Sequence, residues 1–132
     1  MIIFSKAAAR ELGETWYQQI DGGTGDAWIE FYPGDMPKSP DEPAPAEHLL
    51  ARLRLQPLTM KVDDGEAVRS GDAGWARIVG TDGRAVADFT ISDKKGDGFL
   101  RFNTCSFRKA GPVTIFGRLA VFSAQRRDDE ED

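Results

Sequence analysis

Cysteine and histidine are nearly absent from this chain. With one of each in 132 residues, Cys105 and His48, no internal disulfide can form, and a single subunit cannot build a histidine-dependent triad or a histidine/cysteine metal cluster without adding carboxylates. A lone thiol fits assembly in a reducing cytoplasm. Long apolar runs are missing as well: nothing approaches the roughly 18 residues that span a bilayer, and the apolar start Ile2 to Phe4 is too short for a secretory signal. These absences predict a soluble protein that is no enzyme, with no catalytic residue, cofactor or metal, and with neither membrane nor nucleic acid as partner.

What is there suffices for one core. A hydrophobic content of 40% over 132 residues excludes wholesale disorder and suits a single domain. We expect that domain over 1–127, with the acidic residues 128–132 as a disordered tail. Charge is segregated along the sequence. The stretch 98–127 holds Arg101, Arg108, Lys109, Arg118, Arg126 and Arg127 and no acid, whereas residues 1–97 are net acidic and the chain closes on DDEED. An uninterrupted basic stretch reads as a solvated strand edge, as a docking face for an acidic partner, or as a nucleic-acid footprint. Nucleic acid ranks last, because the acidic balance and the adjoining tail repel phosphate.

Periodicity then divides the chain into elements. Ser5 can cap a helix over about 5–21, where Ala8, Leu12, Trp16 and Ile20 recur every four residues, and Gly22-Gly23 ends it. Ala27 to Tyr32 reads as a strand, broken by Pro33-Gly34; the five prolines between Pro33 and Pro45 predict an extended loop without core packing. From Leu49 to Leu55, leucine and alanine alternate with Leu50, Arg52 and Arg54, a strand with one apolar face. Leu58 to Val62 predicts a short strand ended by Asp63-Asp64-Gly65. Trp75 to Val79 and Arg84 to Ile91 flank Asp82-Gly83, which predicts a hairpin with a type I′ turn. Phe99 to Phe107 and Val113 to Ser123 complete about seven strands, a spacing that predicts an antiparallel β-sandwich.

Few constellations carry chemistry. Asp93, Lys95, Asp97 and Gly98 have the outline of a calcium loop, but Lys95 and Thr104 occupy ligand positions and remove the needed charge, so a turn is expected. Gly22 to Gly25 follows a helix rather than preceding one, against the order of a phosphate loop. Asp63-Asp64 is a carboxylate pair any acidic turn offers. Cys105, amid strand residues, reads as a buried small hydrophobe, and His48 as a surface residue. Trp16, Trp28 and Trp75 suit a core, or alternatively stack on sugar rings in a carbohydrate-binding module. Along Val113 to Ser123 one face is aliphatic while the other carries Phe116, Arg118 and Phe122. Aromatics around an arginine are typical of binding hot spots, and we assign these three, with Arg101, Arg108 and Lys109, to an interface.

In order, the strand and turn WIEFYPGDMPKSP, the return HLLARLRL and the hairpin GWARIVGTDGRAVADF resemble the cement, or head-decoration, proteins of tailed bacteriophages. The resemblance runs over roughly residues 5 to 122. It implies a jelly-roll version of the sandwich, a homodimer, the major capsid protein as partner, and a virion structural protein that binds the outside of an icosahedral capsid after assembly in the host cytoplasm.

Overall fold

The computed structural model describes residues 2–4, 25–56, 61–93, 95–102 and 105–114. The fold is mainly β. Its strands are β1 (Ile2–Phe4), β2 (Ala27–Tyr32), β3 (Ala51–Gln56), β4 (Lys61–Val62), β5 (Gly65–Glu66), β6 (Gly71–Asp72), β7 (Trp75–Val79), β8 (Ala85–Asp93), β9 (Leu100–Phe102), β10 (Ser106–Phe107) and β11 (Pro112–Val113). The expected helix over 5–21 and the expected strand beyond Thr114 lie outside the described residues. Among the described residues helix is limited to one 3-10 turn, Ala46–His48, and no helix is long and apolar enough to cross a membrane.

Alternation decides which side each strand buries. Ala27, Ile29 and Phe31 of β2 face one way, opposite Leu55, Leu53 and Ala51 of β3; Ile78 and Ala76 of β7 continue the rows to Ala87 and Phe89 of β8. All are essentially fully buried and form one apolar face. Each fully buried Ile, Leu or Phe there contributes about 1.5–3 kcal/mol relative to exposure. Phe99, Phe102, Cys105, Phe107 and Val113 pack against it from the later part of the chain. The main sheet has seven strands in the order β1-β8-β7-β2-β3-β4, with β9 also on β8. It is mixed, because β9 pairs with β8 in parallel, which corrects the all-antiparallel expectation. Two small ribbons, β5 with β11 and β6 with β10, are two-residue pairings that no local pattern announces.

The β7–β8 hairpin forms where expected, but with a different turn. A type I′ turn needs positive φ at both central residues, and here only Gly83 has it (φ 86). Gly83 N donates to Gly80 O at 2.9 Å and Gly80 N to Arg84 O at 2.9 Å, closing a three-residue loop over Thr81, Asp82 and Gly83. Asp82 accepts from the Arg84 amide through its side chain instead, at 3.0 Å. One strand further in, Ile78 pairs with Ala87 but Val79 with Ala85. Val86 is the bulged residue, and the bulge lets it join the core beside Ala87.

Three further expectations shift. Leu50 falls on the polar side of a strict alternation, yet it precedes β3 and is buried at 1% exposure, its amide donating to Phe31 O at 2.8 Å. The proline loop is largely irregular, but Pro40 is buried and Ser39 to Glu42 forms a hydrogen-bonded turn. Phe99 to Phe107 is not one strand: β9 ends at Phe102 and β10 starts at Ser106.

Candidate functional site

The second face of the main sheet carries a row of alternating charges. Arg52 on β3, Glu30 on β2, Arg77 on β7 and Asp88 on β8 are successive cross-strand neighbours, so charge alternates across four strands. Arg52 Nε lies 3.2 Å from Glu30 Oε2, and the Tyr32 hydroxyl donates to Glu30 Oε1 at 2.8 Å. Arg77 grips Asp88 bidentately, Nε to Oδ1 at 2.8 Å and Nη2 to Oδ2 at 3.0 Å. Both members of that pair are buried, Asp88 completely. Burial pushes the Asp88 carboxyl above its ordinary value, and the Arg77 hydrogen bonds and charge pull against that. The Tyr32 phenol is raised by burial and by its bond to Glu30.

Aromatic rings brace the same row. Tyr32 stacks on Trp75 with centroids 4.6 Å apart and planes 17° apart; the Arg77 guanidinium sits 5.5 Å from the Trp75 ring, and that of Arg52 lies 4.0 Å above Trp28. No buried side-chain polar atom is without a partner among the described residues. A network of this kind fixes the sheet. Of the three tryptophans, Trp75 is buried as a core residue, the Arg52 guanidinium lies over Trp28, and Trp16 lies outside the described residues.

A different surface is open. Residues 65–72 run antiparallel to 106–113 and diverge in the middle of that pairing. There the Ala110 amide donates to Ala67 O at 2.7 Å, the Ala67 amide to Gly111 O at 3.0 Å, and the Lys109 amide to Ser70 Oγ at 2.9 Å. Gly111 N donates to Arg108 O at 2.7 Å, so Arg108 to Gly111 is a tight turn. Ala110 holds φ 67 in it, a left-handed conformation that is strained for any residue with a Cβ. Arg108 and Lys109 are exposed on this turn, and Val68, Arg69 and Ser70 are exposed on the segment paired with it.

Of the six residues assigned to an interface from sequence, the structure joins two. Arg108 and Lys109 share the turn. Arg101 is exposed on β9, opposite Ser92 of β8, on a separate element. Phe116, Arg118 and Phe122 lie outside the described residues. Arg69 and Val68 were missed by the sequence reading: Arg69 sits inside the acidic part of the chain, and only the pairing of 65–72 with 106–113 brings it to the basic turn.

No protein family, curated protein or solved structure matches this chain. The remaining candidates for chemistry are accounted for by their hydrogen bonds. Asp93 Oδ1 accepts from the Lys95 and Gly96 amides at 3.0 and 3.1 Å, which makes the calcium-like stretch a side-chain-capped turn. Asp63 accepts from Gln56 Nε2 at 2.8 Å. Cys105 is half-buried against the core, with its thiol raised by burial and by Asp93 and Asp72, the opposite of an activated nucleophile. His48 is exposed on the 3-10 turn, and no group of three metal-capable side chains occurs among the described residues.

Proposed function

We propose that this chain is a virion structural protein that binds the outer surface of an icosahedral phage capsid and stabilises it by bridging major capsid subunits. The observation that carries this reading is how the three stretches resembling cement proteins relate in space. WIEFY is β2, ARLRL lies in β3, and the GWARIV hairpin is β7 and β8, four strands that neighbour one another as β8-β7-β2-β3. Their glycines also meet: a Cβ on Gly74 would strike the carbonyl oxygen of Gly34. That the three stretches lie in adjacent strands of one sheet supports the reading.

The finer architecture proposed is a jelly-roll sandwich, with the ribbon strands and the later aromatics covering the apolar face of the main sheet. A homodimer on the capsid lattice, each copy adding a modest interface, would strengthen a shell by repetition without any single strong site. Co-sedimentation with purified capsids, followed by imaging of decorated particles, tests the reading. Density for the domain at regular lattice positions is expected. A chain that stays in the supernatant at capsid concentrations that saturate known decoration sites would overturn it.

A further inference from the structure

The turn at Arg108 to Gly111 combines three properties that a solvated ribbon does not need. Its cations are unspent: Arg108 and Lys109 form no ion pair among the described residues, and Arg69 donates only to the Leu49 carbonyl, at 2.7 Å. Beside them Val68 is 52% exposed, the one large hydrophobic in that state among the described residues. And the turn is held in place at a cost, since Ala110 keeps a positive φ where glycine would relieve it. Asp72 accepts from Ser106 Oγ at 2.7 Å, and Glu66 lies in β5 opposite Pro112.

We propose that this surface, Arg108 and Lys109 of the Ala110 turn with Val68 and Arg69 of the segment paired to it, docks an acidic segment of a partner protein that carries an apolar side chain. Arginine recognises carboxylates through a two-pronged fork, and an exposed valine among cations gives that segment a dry contact at its centre. A carboxylate-bearing polypeptide suits the patch better than a nucleic-acid backbone. The cations are few, and the chain as a whole carries net charge −5, so a phosphate duplex meets repulsion beyond the patch. The inference rests on the capsid reading only for who the partner is; the recognition chemistry is independent of it.

The test uses the full chain and a synthetic peptide of alternating Glu and Leu, with binding followed by fluorescence anisotropy. Saturable binding is expected, weakening as salt shortens the reach of exposed charges to about 8 Å at physiological ionic strength. The R108E/K109E variant should lose about tenfold or more in affinity, and V68S about threefold. All are exposed positions, and circular dichroism with thermal melting checks that each variant stays folded. R101E serves as a control, since it removes the same kind of charge on β9. A loss with R101E equal to that with R108E/K109E would assign the effect to net charge and overturn the site. So would tighter binding of duplex DNA than of the peptide at the same salt. In parallel, wild type and R108E/K109E are compared for capsid co-sedimentation. Wild-type binding that survives R108E/K109E unchanged overturns this docking site and leaves the capsid reading standing; absence of wild-type binding overturns the capsid reading and leaves the peptide result to decide the site.

Discussion

At the scale of single residues, Arg77 and Asp88 make the sharpest statement. A buried ion pair is a poor source of net stability because two charges lose their water, but removing one member is far worse than removing both. Asp88→Ala should therefore cost about 3–5 kcal/mol in urea unfolding, whereas the double change R77L/D88L should recover most of that loss. Equal losses in the two variants would show that shape, rather than charge, is what the pair supplies. Tyr32 sets an alkaline dependence. Its unfolded phenol ionises near 10.0, and the folded one is raised above that. The folded state holds its proton more tightly, so this contribution is complete below pH 10.0 and declines as pH rises past it. Tyr32→Phe should lose the bond to Glu30, lowering stability at neutral pH by about 1.5 kcal/mol, and should flatten the fall in stability above pH 10.0. Unfolding curves of the two proteins across that range check both signs together.

At the scale of elements, the meeting of Gly34 and Gly74 ties the end of β2 to the start of β7. A Cβ at Gly74 would strike backbone, not a side chain that could swing aside, so Gly74→Ala should cost about 3 kcal/mol in thermal or urea unfolding. Gly34 has open space around it but φ 82; an alanine there strains its own backbone by about 1–2 kcal/mol and touches nothing. Such features explain which parts of the fold were readable beforehand. Strand β3 was legible from its alternation, β2 from its aromatic and β-branched residues, and β7 and β8 from the Asp82-Gly83 pair between them. The bulge at Val86 was not, because it depends on the register set by the neighbouring strand. Neither were the ribbons β5–β11 and β6–β10, whose two-residue strands carry no period and whose partners lie about forty residues apart. The candidate site divides the same way: Arg108 and Lys109 stood out in a run without acids, while Arg69 was hidden in an acidic neighbourhood until pairing brought it across.

At the scale of the whole molecule, the outer edge of β8 is covered by two strands end to end. β1 pairs antiparallel with Ala87 to Phe89, and β9 pairs parallel with Ile91 to Asp93. Deleting residues 2–4 should leave β7, β2 and β3 intact while amides along Ala87 to Phe89 exchange faster with deuterated water; unchanged protection there would mean that β1 adds nothing to the edge. The same arrangement governs when the sheet can form. Ile2 lies opposite Phe89, so β1 has no partner on β8 until the chain through Phe89 has been made. Pairings this distant in sequence close slowly, because a large loop must be ordered before any contact rewards it. Until then an Ile-Ile-Phe segment stays available to any other strand edge. In a newly made copy β1 is thus open to mispairing until its partner exists, and it is the synthesis of β8, not of β1, that ends the exposure.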